Sequence, residues 1–306
     1  MNIGMLDVDG HNFPNLAQMK ISAWHKANGD HTERLNPLLT YDAVYASKVF
    51  SFTQDYDFNI QSEQVFHGGT GYEYIDGEYA GCSGTLAHEI EHIYPDYELY
   101  GIKNTAYGFL TRGCPRNCSF CIVSQKEGLK SHKVANLNEF WRGQKEIQLL
   151  DPNILAYKGH IELLQQLVDS KARVEFNQGI DARFITHENI ELLKRMKLKT
   201  IHFAWDGADD PETGEKLKQI ADATGWNRGK IQVYVLVNFD STIEQDLHRI
   251  YKLKEMNFAP YVMIYGKEHA RKEIKHLARY ANNRYIFWSQ DCKTFDDYCE
   301  RIGFKR

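Results

Sequence analysis

The sequence predicts an α/β protein in two parts: an N-terminal Rossmann-like open sheet followed by a partial (β/α)6 barrel. Three observations carry this. Short strands and helices alternate through the first part of the chain. A strand–loop–helix pattern then repeats from Thr105 onward. A cysteine-bearing loop follows the first strand of that repeat. Alternation of this kind argues for parallel sheets with helical crossovers. The expected divisions are a first domain over 1–85, a linker over 86–104 and a second domain over 105–306.

Taken in order, Ile3–Val8 reads as a largely apolar strand that ends at the turn signal Asp9-Gly10. Leu16–Ala27 has a helical pattern, with Leu16, Met19, Ala23, Trp24 and Ala27 expected on one buried face. Tyr41–Ser47 begins a second unit, and Val65–Gly71 looks like a strand entering a glycine loop. In the second part, candidate strands are Thr105–Thr111, Glu146–Leu150, Arg173–Asn177, Thr200–Trp205, Gln232–Val237 and Tyr261–Ile264. Helical segments fall between them, among them His160–Asp169, Glu188–Met196 and Ile243–Met256. A parallel barrel gathers its chemistry at the C-terminal ends of the strands. That rule selects Asp151, then Asn177 and Gln178 with Asp181 and Arg183 beyond, then Asp206, Asn238 and Tyr265.

Composition narrows the class. The 306 residues carry a net charge of −4. No apolar stretch approaches the roughly 20 residues that span a bilayer. The start, Met1–Asp7, lacks a basic segment and a long apolar core. A cytoplasmic protein without membrane partners is expected, in a reducing compartment. The acidic balance argues against a large nucleic-acid footprint, which normally shows as a basic face.

The densest chemical signal is Arg112–Cys121, in which Cys114, Cys118 and Cys121 stand at C-x-x-x-C-x-x-C spacing with Phe120 before the third cysteine. Three thiolates on one loop can hold three corners of a cubane cluster. The fourth iron then has no local protein ligand, and an open metal position is where a small molecule binds and reacts. A zinc site usually shows a second cysteine pair downstream, and three crowded cysteines do not make a disulfide framework.

This loop resembles that of radical S-adenosylmethionine (radical SAM) enzymes. The resemblance implies a [4Fe–4S] cluster on Cys114, Cys118 and Cys121, with S-adenosylmethionine (SAM) on the open iron and an electron donor such as flavodoxin or ferredoxin. It assigns cofactor contacts to Phe120, Asp151, Gln178, Arg183, Asn238 and Tyr265. The alternative for Asp181 and Arg183 is that they only brace one another. Asp151 and Asp206 could likewise serve as loop or turn formers.

The first part is similar to the cobalamin-binding domain that precedes many radical SAM domains. Where that family carries D-x-H-x-x-G, Asp9-Gly10-His11 matches the first three positions, and Pro14 replaces the glycine. Cobalamin is therefore not expected. The whole chain also resembles the queuine lyases of queuosine salvage. This implies a small nucleotide-like substrate, queuosine 5′-phosphate, held between the domains by Asp7, Asp9 and Asp206 and cleaved to queuine. The alternatives are a cobalamin-type radical SAM methyltransferase or an RNA-modifying radical SAM enzyme. A methylthiotransferase would need three further N-terminal cysteines, where the sequence has Cys82 alone.

His88-Glu89-Ile90-Glu91-His92 is a literal H-E-x-x-H, which on a helix can bind zinc for hydrolysis. A similar acidic stretch, followed by a phrase like Pro95-Asp96-Tyr97, links the two domains in the cobalamin-type family, and that reading explains more of the neighbourhood. Cys82, Cys292 and Cys299 are scattered and read as buried structural thiols. The basic run from Lys267 to Arg284 reads as a solvated helix face, with a phosphate site as its alternative.

Overall fold

The computed structural model describes residues 1–10, 13–75, 78–79 and 86–306. They form two compact units. The first takes residues 1–108 with 125–127 and 135–145, and the second takes 109–124, 128–134 and 146–306.

The first unit opens with β1 (Asn2–Asp7), α1 (Leu16–Ala27), β2 (His31–Arg34), β3 (Tyr41–Ser47) and β4 (Ser62–Gly68). All four strands are parallel, in the order β2-β1-β3-β4. β1 is interior because its middle is apolar on both faces, with Ile3 and Met5 buried on one and Gly4 on the other. Gly4 lets its neighbours close in: a Cβ there would stand 3.0 Å from Leu35 and 3.1 Å from Val44.

The helix α1 has the predicted bounds and a different buried face. Asn15 caps it by accepting from the Gln18 N–H at 3.2 Å. Its buried residues are Gln18, Met19, Ser22 and His25. Ala27 is exposed, and Leu16, Ala23 and Trp24 are only half-buried. Polar groups win this face because each has a partner. The Gln18 amide donates to the carbonyls of Leu6 and Tyr45, at 2.6 and 3.2 Å, and so bridges β1 to β3. The Ser22 hydroxyl donates to Asp96 at 2.6 Å, and His25 lies between Asp30 and the Tyr45 hydroxyl. Buried polar groups that are fully paired cost little.

After β4 come the short antiparallel pair β5 (Tyr74–Ile75) and β6 (Glu78–Tyr79), the single turn α2 (His88–Glu91) and β7 (Thr105–Gly108). His11 and Cys82 lie outside the described residues.

The second unit begins with β8 (Thr111–Arg112), which pairs antiparallel with β9 (His132–Lys133); α3 (Val123–Glu127) lies between them in sequence. The repeat follows as β10 (Glu146–Leu149), α4 (His160–Ser170), β11 (Arg173–Asp181), α5 (His187–Arg195), β12 (Lys197–Ala204), α6 (Pro211–Thr224), β13 (Ile231–Val237), α7 (Ile243–Glu255) and β14 (Ala259–Ile264). Three short helices close the chain: α8 (Lys272–Asn282), α9 (Arg284–Phe287) and α10 (Phe295–Arg301). The strands β10 to β14 are parallel neighbours in sequence order. With β7 they make up the six strands that the sequence predicts along the chain.

Helix starts are written in capping chemistry. Thr186 and Thr242 each form a reciprocal box, with Asn189 and Gln245. Asp210 caps α6 just before Pro211 at its first position.

One strand departs from expectation. β11 does not stop at Asn177; it passes through an irregularity between Phe176 and Ile180 and runs on to Asp181. Gly179 sits in that bulge, where a Cβ would meet Ala204 and Tyr234 at 3.0 Å. The extension moves the functional end of the strand from Asn177 to Asp181.

The far ends of β12 and β13 are tied by Arg249 of α7, whose side chain is only 1% exposed. Its guanidinium donates to the carbonyls of Trp205, Asp206 and Leu236 at 2.8, 2.5 and 2.9 Å, and to Asp246 at 2.6 Å. Removing one member of a buried pair strands the other charge, at a cost of roughly 3–5 kcal/mol. Arg249→Met is therefore expected to lower stability by about that amount. Denaturant unfolding would show it as a lower midpoint at unchanged slope. A midpoint equal to that of the native protein would refute the tie.

Candidate functional site

The cysteine loop leaves the sheet at Leu110 and is pinned at its start. Asp151, 4% exposed and placed just beyond β10, accepts from the Leu110 N–H at 3.1 Å. It also accepts from the Thr111 N–H at 2.5 Å and the Thr111 hydroxyl at 2.6 Å. The Val134 N–H donates to the Leu110 carbonyl at 2.8 Å, so the returning strand holds the same point. Further along, Gly113 and Asn117 take positive φ values of 80° and 46°. The Cys114 N–H reaches the Gly128 carbonyl at 3.1 Å, and the Cys121 N–H the Cys118 carbonyl at 3.0 Å.

Cys114, Cys118 and Cys121 are outside any disulfide and half-buried. Burial first, then the charges of Cys121, Asp206 and Cys114, holds the Cys118 thiol above its usual range, while Arg116 pulls it down. The thiols therefore share one electrostatic neighbourhood in which ionising one makes the next harder to ionise, a cost that a bound cationic centre would relieve. Among the described residues, no three His, Cys, Asp or Glu side chains converge on a single-ion position. A cubane does not ask for that, because each thiolate takes a different iron. The donor set fits such a cluster: three soft ligands and no fourth.

Asn153 was not singled out from the sequence. It is 2% exposed, and its amide donates to the Cys114 sulfur at 3.8 Å. Its position two residues after Asp151, on the same strand-end loop, was the available signal.

The ends of the later strands surround the loop with charge and aromatic rings. Arg116 of the loop pairs with Asp181 at 3.2 Å. Asp181 also takes the Arg183 N–H, Nε and guanidinium at 3.0, 2.8 and 2.9 Å. Arg183 reaches Asp210 at 2.9 Å with its remaining arm. The fork of Arg183 is thus filled by carboxylates and braces β11 to the start of α6. Asp206 accepts from the Leu236 N–H at 3.2 Å. Burial pushes its carboxyl up to about 6, against the pull of that N–H and of Arg249 and Arg183.

Phe120 packs against Phe239 with ring centres 5.4 Å apart, and Phe239 against Tyr265 at 4.8 Å. Asn238, at a φ of 67°, donates to the Tyr265 carbonyl at 2.8 Å and fixes the end of β13 beside that of β14. Phe239, which the sequence reading passed over, joins the loop to both strand ends. Gln178 is exposed on the bulge of β11 and takes no part in these contacts.

The remaining candidates lie elsewhere. Asp9 accepts from the N–H groups of Val49 and Phe50, at 2.5 and 3.3 Å, and from the Thr53 hydroxyl at 2.6 Å; it holds a loop of the first unit. Asp7 accepts from the Tyr100 hydroxyl at 3.1 Å. His92 follows the single turn of α2, its ring bound to Glu139 at 2.8 Å and 4.4 Å from that of His88. Cys292 and Cys299 are buried.

No protein-family model matches the sequence. Curated relatives are tRNA-2-methylthio-N(6)-dimethylallyladenosine synthases. That of Aquifex aeolicus is 29% identical over 168 residues, covering 50% of this chain and 34% of the relative. That of Bordetella avium is 30% identical over 104 residues, covering 30% of this chain and 22% of the relative. This chain thus spans about a fifth to a third of the length of those relatives. Among solved structures, the radical S-adenosylmethionine methyltransferase TsrM from Kitasatospora setae, with cobalamin and a [4Fe-4S] cluster bound, superposes with a TM-score of 0.60 at 11% identity. The match covers 86% of this chain and 74% of that one. The fold is that of this radical SAM protein: α/β, with parallel sheets in both units.

The Asp151 clamp makes a prediction of its own. Burial pushes this carboxyl from its ordinary 3.8 to about 6, against the hydrogen bonds from Thr111 and Leu110. The folded protein then holds a proton that the unfolded chain releases. The stability gained this way is fully present below the unfolded value and is lost as pH rises through the folded one. Asp151→Asn lacks this titration and turns a donor toward a donor, costing about 1–3 kcal/mol. The difference in melting temperature between native and variant should be larger at pH 5 than at pH 7.5. A difference that shrinks on acidification would contradict the assignment.

Proposed function

We propose that this chain is a radical SAM enzyme that modifies a nucleotide-containing substrate. Cys114, Cys118 and Cys121 hold a [4Fe–4S] cluster in this reading. When bound, the cluster supplies one electron that splits SAM on its open iron into methionine and a 5′-deoxyadenosyl radical. The observation that carries the proposal is that three cysteines outside any disulfide share one pinned loop among the C-terminal ends of parallel strands.

The chain's own groups have definable tasks. Asp151 sets where the loop starts. Phe120, Phe239 and Tyr265 wall one side and keep water from a reactive radical. Asn238 fixes the Tyr265 backbone. Gln178, exposed and uncommitted, keeps its amide for a ribose hydroxyl or carboxylate. Arg183 acts through Asp181 and Asp210 as a positioning residue. Asp206, carrying a raised pKa beside the cysteines, is the carboxylate placed to meet a substrate donor.

For the substrate, the curated relatives favour modification over release of a base. Their names specify a modified adenosine in tRNA, and the solved neighbour is a methyltransferase. Cleavage of queuosine 5′-phosphate to queuine finds no support in either.

The test is anaerobic reconstitution with iron and sulfide, chemical reduction in place of flavodoxin or ferredoxin, and assay for 5′-deoxyadenosine. The native protein should carry about four irons and cleave SAM. Changing all three cysteines to Ala should abolish both. Four irons surviving that change would sink the proposal. Parallel incubations with unmodified tRNA and with queuosine 5′-phosphate separate the two substrate readings. Cobalamin retained through gel filtration would select a methyltransferase.

A further inference from the structure

Asn153 is a buried amide with one half committed and the other half orphaned. Its N–H points at the Cys114 sulfur at 3.8 Å, while its Oδ1 is buried without a partner. The backbone there is extended, with φ −164° and ψ 81°, as the chain turns from β10 into a short 3-10 segment at Ile154–Ala156. Asp151, two residues earlier, is locked to Leu110 and Thr111. The amide is therefore carried on a rigid support on one side, and its target cysteine follows that same anchor by three residues on the other. An orphaned buried carbonyl costs roughly 1–3 kcal/mol. Asn153 bears that cost where an isosteric Leu would avoid it, which points to a use for its N–H.

We propose that Asn153 is a positioning residue that sets the reduction potential of the cluster through its N–H···S bond to Cys114. This rests on the radical SAM reading above. A donor to a ligating sulfur stabilises the more negative, reduced cluster and so raises its potential. Among the described residues Asn153 is the donor to the Cys114 sulfur, so one side chain controls this effect at one corner of the cluster.

The experiment is a redox titration of the reconstituted protein followed by electron paramagnetic resonance, on native protein, Asn153→Leu and Asn153→Asp. Asn153→Leu keeps the branching of the side chain and removes the donor. Its potential should fall by an amount equivalent to about a tenfold change in the reduction equilibrium, or 59 mV for one electron. Asn153→Asp removes one donor and adds a negative charge, so its potential should fall further. Iron content is measured on each sample. Should Asn153→Leu fail to load, Asn153→Ser makes the same comparison, because its hydroxyl is too short to reach the sulfur. A fully loaded variant that titrates with the native protein overturns the inference and leaves the radical SAM reading standing. A native protein that shows no reducible cluster overturns both.

Discussion

The site depends on a carboxylate that water does not reach. Asp151 is almost fully buried, and Leu110 and Thr111 donate to it through two N–H groups and a hydroxyl. Two effects compete there. Burial raises its pKa, the incoming hydrogen bonds lower it, and burial wins, leaving the group titrating at about 6. At neutral pH the side chain is still mainly ionised, so its bonds are charge-assisted and about twice as strong as neutral ones. A neutral acceptor would avoid the desolvation but could not take three N–H and O–H donors with one side chain. The position of the cysteine loop relative to β10 is thus set by a single electrostatic clamp.

Around that clamp, guanidinium groups do for the strand ends what Asp151 does for the loop. Arg249 gathers carbonyls from Trp205, Asp206 and Leu236, and Arg183 spans Asp181 and Asp210. Lysine could not replace either, because a point charge lacks the planar fork that meets several acceptors at fixed angles. The C-terminal ends of parallel strands expose carbonyls and leave backbone unpaired. A buried arginine is a compact way to satisfy several at once.

The sequence made the strand–helix repeat and the cysteine loop legible because both are written in local spacing. Strand ends followed from the same pattern, which is why Asp206, Asn238 and Tyr265 fall beside the loop or beside one another. What stayed hidden depends on partners distant in sequence. The buried face of α1 is polar since Gln18, Ser22 and His25 meet strand carbonyls, a hydroxyl and a carboxylate, and no hydrophobic period marks that. The bulge at Gly179 prolongs β11 beyond the point where its apolar run ends. Arg183 reads from the sequence as a cofactor ligand, with a brace to Asp181 as the alternative, and only the position of Asp210, 27 residues away, shows its fork to be filled. Asn153 gave no signal stronger than its nearness to Asp151. The i, i+3 pair of Asp246 and Arg249 resembles a surface ion pair until its burial is seen.

The charge balance around the cysteines explains why such a loop needs this much bracing. Cys118 is burdened by burial, by two neighbouring thiols and by Asp206, with Arg116 alone opposing. Arg116 is itself shared with Asp181. Burial and these neighbours make every charge gained at the cysteines costly, and forming three thiolates together would push the loop apart unless its ends were fixed. Asp151 fixes the entrance, the bond from the Cys114 N–H to the Gly128 carbonyl ties the first cysteine to the residue where the loop turns back, and the Phe120–Phe239–Tyr265 contacts hold the far side. Preorganisation of this kind moves the cost of assembling three thiolates from the binding step to folding. The affinity of the loop for a cationic centre and the stability of the second unit then draw on the same few contacts, so that weakening any one of them is felt in both.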